Sequence, residues 1–226
     1  MERSLQSRKR QLVKDAIYEA AIDLFTRKGF DETTVEELAE AAGISRRSFF
    51  RYFETKDDLL ALNTVNCGKV LCEAVASSAA DVGPFEVVSE SVSAGVKFTE
   101  GQQFTRQIIE ITQRSTSARQ AQMSRLMEVH DRLSLAYSAQ MGIPTRDFLR
   151  PFLLAGMTQL IVNAATGSWF MGEYKDPSSA AKEAFLELAR VFGDETALLP
   201  VLEAATAGKA SVSNGHRNQR STRTKR

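Results

Sequence analysis

Apolar residues recur at intervals of three and four along most of this chain, a pattern that predicts an all-α fold of about nine helices. From Gln11 to Lys28 the positions Val13, Ile17, Ala20, Ala21, Leu24 and Phe25 share one face, and Gly29 supplies a stop. Val35, Leu38, Ala39 and Ala42 make the face of a short second helix. Ahead of it, Thr34 and Glu37 have the spacing at which each side chain satisfies an orphan amide of the helix start. Gly43 ends that helix, Ile44 fills the corner, and Ser45 can N-cap a third helix from about Arg46 to Phe53. On this third helix Phe49 and Phe53 turn inward, while Arg46, Arg47, Phe50, Arg51 and Tyr52 cover the remaining surface.

Past this head, Thr55 to about Ala80 predicts one long helix through Leu59, Leu60, Cys67, Val70, Leu71, Ala74 and Val75, broken by Gly83-Pro84. Two shorter helices follow, one with Phe85, Val88, Val92 and Val96, the other around Phe104, Ile108 and Ile111. A longer one spans Ser117 to Met141. Its stripe of Met123, Met127, His130, Ser134, Tyr137 and Met141 reads either as core or as the lining of a small-molecule cavity. Phe152 to Gly172 is 21 residues without a charge, but polar residues near its middle and the lack of anchoring flanks predict a buried helix rather than a membrane span. Gly156, Asn163 and Gly167 put small residues on one side of it. Asp176-Pro177 opens a last helix with Ala181, Phe185, Leu188 and Phe192 inward and Gly193 at its end.

Charge divides the chain unevenly. Residues 1–56 hold 11 basic and 10 acidic side chains, residues 57–203 hold 12 and 18, and residues 204–226 hold 6 and none. The acidic middle is kept off nucleic acid and the basic ends favour it. Between Ser45 and Lys56 four basic residues stand against one acid, Glu54, beside aromatic rings; phosphates and base edges are the natural partners of such a face. Arg3, Arg8, Lys9 and Arg10 form either a solvated end or an arm along DNA. The start lacks an apolar stretch, so no secretory signal is expected. Cys67 and Cys72 lie roughly 140° apart on a helix at ~100° per residue, which suits neither a disulfide nor a shared metal, and a reducing cytoplasm fits.

The segment AAIDLFTRKGFDETTVEELAEAAGISRRSFFRYFETKDDLL is similar to the N-terminal domain of the TetR family of bacterial transcriptional regulators. LF..KGF, TTV..LA..AGIS, FFRYF and K.DLL occur in order over residues 12 to about 60. The resemblance implies a helix-turn-helix DNA-binding domain with a basic arm at 1–55, a helical ligand-binding and dimerisation domain at 56–203, and a disordered basic tail at 204–226. It places Thr34, Ser45, Arg46, Arg47, Phe50, Tyr52 and Lys56 at the DNA, with Phe49 in the recognition helix's core and Lys56 meeting phosphate at a helix start. Phe50 departs from the family's common Tyr and lacks its hydroxyl. Glu36-Glu37 stand where some members are basic, so base reading rests on Arg46 and Arg47, whose forks match guanine O6 and N7.

The expected function is a ligand-responsive DNA-binding regulator, a repressor released from a near-palindromic double-stranded operator by an unidentified small molecule. A TetR-like activator, or an all-helical small-molecule-binding or scaffold protein without DNA binding, are the alternatives. Candidate effector residues are Phe104, Met123, Met127, His130, Tyr137 and Trp169, and the last two long helices are expected to form a homodimer. With no nucleophile-base set, metal spacing or phosphate loop, and only His130 and His216 as histidines, neither an enzyme nor a cofactor or metal is expected.

Overall fold

The computed structural model describes residues 2–79, 81–144 and 146–192. Their regular elements are ten helices: α1 (Glu2–Lys28), α2 (Val35–Ala41), α3 (Arg46–Phe49), α4 (Lys56–Leu60), α5 (Leu62–Ser77), α6 (Pro84–Glu100), α7 (Thr105–Arg114), α8 (Thr116–Gln140), α9 (Leu149–Phe170) and α10 (Pro177–Phe192). The all-α expectation holds. The expected tail, the stop at Gly193 and the inward side chain of Phe192 lie outside the described residues and side chains.

Three boundaries differ from the sequence reading. The first helix starts at Glu2 rather than Gln11, because residues 2–10 contain no Pro or Gly and consist mainly of good helix formers, even though the sequence there carries no apolar period. The third helix closes at Phe49, after which the chain coils more tightly, Arg51 N–H bonding Ser48 O at 3.1 Å and Tyr52 N–H bonding Phe49 O at 2.9 Å. The long helix expected from Thr55 is divided at Ala61 into α4 and α5. A side chain explains the division. The Gln122 amide of α8 donates to Leu60 O at 2.9 Å and accepts from the Thr64 hydroxyl at 2.6 Å, occupying a carbonyl of the helical ladder.

Two compact units partition the helices. The first takes in the chain up to Lys69 and Gly101–Arg132. There α1 to α4 close around Phe25, Phe30, Leu38, Phe49, Phe53 and Leu59, and Ile108 and Ile111 of α7 join the same core. Gly43, at φ +66°, ends α2: its N–H bonds Glu40 O and the Ile44 N–H bonds Ala39 O, the reversal that only a left-handed residue allows cheaply. Gly68 lets α5 approach α8, since a Cβ there would meet Val129 methyl carbons at 2.6 and 2.7 Å.

The second unit takes in Val70–Glu100 and the chain from Leu133 on. Here α6, α9 and α10 pack together and bury Val88, Val92, Leu154, Ile161 and Phe185. Tyr137 is fully buried; its hydroxyl lies 2.7 Å from that of Thr158, and burial pushes the phenol up to about 12. On its other side α9 exposes Leu149, Leu153, Leu160 and Met171, with Asn163 exposed and Gly156 and Gly167 half-buried in the same stripe. No described helix is long and apolar enough to cross a membrane.

Candidate nucleic-acid interface

A side-chain cap fixes the start of each of α2 and α3. Thr34 accepts the Glu37 N–H at 3.3 Å, and Glu37 accepts the Thr34 N–H at 3.0 Å, the reciprocal arrangement read from their spacing. Lys28 adds a 2.5 Å hydrogen bond to Glu37, and with Thr34 it holds that carboxyl down at about 2. Ser45 caps α3 by accepting the Ser48 N–H at 3.1 Å. The hydroxyls of Thr34 and Ser45 therefore position helices first, and any contact with DNA is made from an exposed residue already engaged in capping.

On α3, Phe49 is fully buried, whereas Phe50 is exposed and stands edge-on to it with ring centroids 5.5 Å apart. Arg46 extends over the Phe50 ring, its guanidinium carbon 5.6 Å from the centroid, and its Nε meets Glu36 of α2 at 3.0 Å. Arg47 is exposed and meets no acceptor among the described residues. Arg51 is exposed and lies over the half-buried Tyr52 ring at 5.9 Å. The outer face of α3 and the turn after it thus carry three guanidinium groups beside aromatic edges, the chemistry that grips phosphate and reads guanine.

Lys56 is placed differently. Its ammonium donates to the carbonyls of Phe30, Asp31 and Thr33 at 2.6, 3.3 and 3.1 Å and lies 4.6 Å from the centre of the Phe30 ring. All three donors of an ammonium are thereby committed to the α1–α2 loop, so the side chain organises that loop instead of reaching outward to phosphate. The same loop bonds the start of α8: Asp31 accepts from Ser115 at 2.8 Å and from Ser117, and these hydroxyls, Ser117 first, hold its carboxyl below the usual carboxylate range. Neither the Asp31–Ser115–Ser117 contact nor the Glu36–Arg46 pair was legible in sequence, because each joins residues of different elements that only the tertiary fold brings together.

Of the six effector candidates, Phe104, Met123, Met127 and His130 lie in the first unit and Tyr137 and Trp169 in the second. Phe104 is half-buried in the first unit, edge-on to Tyr18 at 5.7 Å. Met123 and Met127 are exposed on α8, whereas His130 is buried. In the second unit Tyr137 already shares its hydroxyl with Thr158, and Trp169 is half-buried. An open cleft of about 280 Å³ in the first unit is lined by Phe25, Lys28, Asp31, Glu110 and Ser115 among others, and contains none of the six.

A short exposed basic helix, fixed by a tight turn against a capped partner, defines a helix-turn-helix DNA-binding protein. Residues 17–62 match the model of the bacterial regulatory proteins of the tetR family. The HTH-type transcriptional regulator TcmR of Streptomyces glaucescens is 22% identical over 174 residues, 74% of this chain and 77% of that protein. Three other curated relatives match over 47 to 55 residues, 16% to 30% of their length. Among solved structures, NalD of Pseudomonas aeruginosa, secondary repressor of the MexAB-OprM multidrug efflux pump, aligns with a TM-score of 0.55 at 20% identity over 80% of this chain and 96% of its own. The transcriptional regulator FadR of Bacillus subtilis, solved with stearoyl-CoA, aligns with a TM-score of 0.51 at 18% identity over 85% of this chain and 97% of its own. Residues 17–62 thus form a DNA-binding domain of the tetR-family type, and the chain is a DNA-binding transcriptional regulator.

Proposed function

We propose that this regulator is a homodimeric repressor that leaves a near-palindromic operator when a small molecule binds its C-terminal helices. The observation that carries the reading is the outer face of α3, where Arg46, Arg47 and Phe50 are exposed on a capped and buried scaffold. Residues 1–55 read DNA in the bacterial cytoplasm, and residues 56–203 bind effector and dimerise. The exposed apolar stripe of α9, with α10, supplies the dimer contact, and two-fold symmetry matches two recognition helices to inverted half-sites. Repression by NalD and the stearoyl-CoA held by FadR support a repressor answering to a small molecule. An effector that prefers the DNA-incompetent form lowers operator affinity by a coupling of about 1–3 kcal/mol, and the operator weakens the effector by the same factor.

Selection of bound fragments from genomic DNA tests the reading. Recovery of paired inverted half-sites, each pair occupied by one dimer and lost when Arg46 and Arg47 are both replaced by Ala, is the expected result. Recovery of random fragments, or of none, would overturn it; activation of transcription from the recovered site would reverse its sign.

A further inference from the structure

Arg46 is held on two sides before any DNA arrives. Glu36 takes its Nε at 3.0 Å, and the ring of Phe50 lies 5.6 Å from its guanidinium carbon, yet the Arg46 side chain remains 65% exposed. A guanidinium has donors on Nε and on two terminal nitrogens in one plane. The Glu36 carboxylate sits beside Nε as an ion pair, whereas Nη1 and Nη2 meet no acceptor among the described residues and are the donors open to a ligand. Two parallel donors are the complement of guanine O6 and N7 in the major groove.

We propose that Glu36 is a positioning residue for sequence reading: it fixes Arg46 in the pose that recognises guanine and keeps that arginine from serving as a general phosphate grip. The inference rests on the base-reading role of Arg46 given above. Exposed ion pairs contribute little to stability, and both partners here are more than half exposed, so the value of the pair lies in orientation rather than in holding the head together. The carboxylate also sets a negative charge next to the reading fork. That charge disfavours phosphate oxygens nearby and leaves guanine's neutral acceptors as the better partner.

The test compares full-length wild type with Glu36→Gln, Glu36→Ala, Arg46→Ala and the Glu36→Ala/Arg46→Ala pair, on the selected operator and on operators changed one base at a time. Thermal unfolding verifies that each variant is folded, and the charge-neutral, near-isosteric Gln variant leaves the helix start unaltered. Arg46→Ala is expected to reduce discrimination at one base pair by roughly tenfold or more. Removing the Glu36 carboxylate is expected to reduce discrimination at that same base pair by about three- to fivefold, the ceiling for an exposed pair, while affinity for random DNA rises. In the Arg46→Ala background it should change discrimination no further. Loss spread equally over all positions, no loss, or an undiminished effect without Arg46 would overturn the positioning role. An unchanged base profile in Arg46→Ala would instead overturn the base-reading assignment beneath it.

Discussion

Asp58 divides its carboxylate between a helix cap and Arg125 of α8. One oxygen accepts the N–H groups of Glu54 and Thr55 at 3.1 and 3.0 Å, and the other meets Arg125 at 2.5 Å. The start of α4 and the middle of α8 are therefore fastened through one side chain, and Glu128, then Asp58, raise the pKa of the Arg125 guanidinium. Asp58→Ala should cost about 1–2 kcal/mol, the value of a lost cap together with the pair. Arg125→Ala, which leaves the cap intact, should cost about 0.5–1 kcal/mol. Urea unfolding of both variants checks the ranking, and an equal or larger loss in Arg125→Ala would show that the cap contributes nothing.

Gln122 secures the next turn. Its amide joins Leu60 O to the Thr64 hydroxyl across the break between α4 and α5. Gln122→Leu leaves the Leu60 carbonyl without that donor in a buried place and should destabilise by about 1–3 kcal/mol. Thr64→Val, which removes only one hydroxyl, should cost less. Denaturant midpoints in the opposite order would mean that the break is set by packing rather than by the amide.

Lys56 separates a structural role from a nucleic-acid role. A phosphate-bound lysine contributes about 0.9 to the slope of log affinity against log salt. Because its ammonium is bonded to the carbonyls of Phe30, Asp31 and Thr33, Lys56→Met should leave that slope unchanged and appear instead as lost stability of about 1–3 kcal/mol with faster amide exchange in the α1–α2 loop. A flattened slope with unchanged stability would return Lys56 to the phosphate backbone.

That outcome illustrates what the sequence could and could not carry. Thr34 with Glu37, Ser45, and Phe49 with Phe53 were legible because a cap or an inward face depends on neighbours three or four residues away. Lys56 belongs to a loop 23 to 26 residues earlier, a pairing fixed by the tertiary fold and invisible to periodicity. The methionine stripe is divided: His130 and Tyr137 are buried, whereas Met123 and Met127 are exposed. At ~100° per residue the buried positions Ala118, Val129, Leu133, Tyr137 and His130 sweep a broad arc of α8, Met123 stands at its edge and Met127 beyond it. Residues 2–10 carry no helical signature in sequence because an exposed segment, as residues 5–10 are, needs no apolar period.

Acid should unfasten the start of α2 late. Lys28, then the backbone and side chain of Thr34, hold the Glu37 carboxyl at about 2 against an ordinary value of 4.5. A depressed carboxyl stabilises the fold wherever it is ionised in both states and loses that contribution once the folded form is protonated. Wild type should therefore exceed Glu37→Gln in stability by a constant margin above about pH 4.5, with the margin shrinking as pH falls through 2. A margin that is flat across this window would show that the ionised carboxylate adds nothing beyond the amide's hydrogen bonds.

The exposed face of α9 should join two copies. Leu149, Leu153 and Leu160 are 67%, 59% and 63% exposed, and a Cβ added at Gly167 would meet nothing within 4 Å, so the stripe is both apolar and open to a close-packed helix. Burying these leucines against an identical stripe gains roughly 1.5–3 kcal/mol for each side chain fully covered, and a two-fold contact counts every gain twice. Leu160→Glu places two like charges across that axis and should convert the dimer to monomer in light scattering. Operator affinity should fall with it, because a single recognition helix then reads a single half-site. Met127→Glu, equally exposed at 59% but on α8, should leave the dimer intact. Dissociation by Met127→Glu with a stable Leu160→Glu dimer would move the interface from α9 to α8.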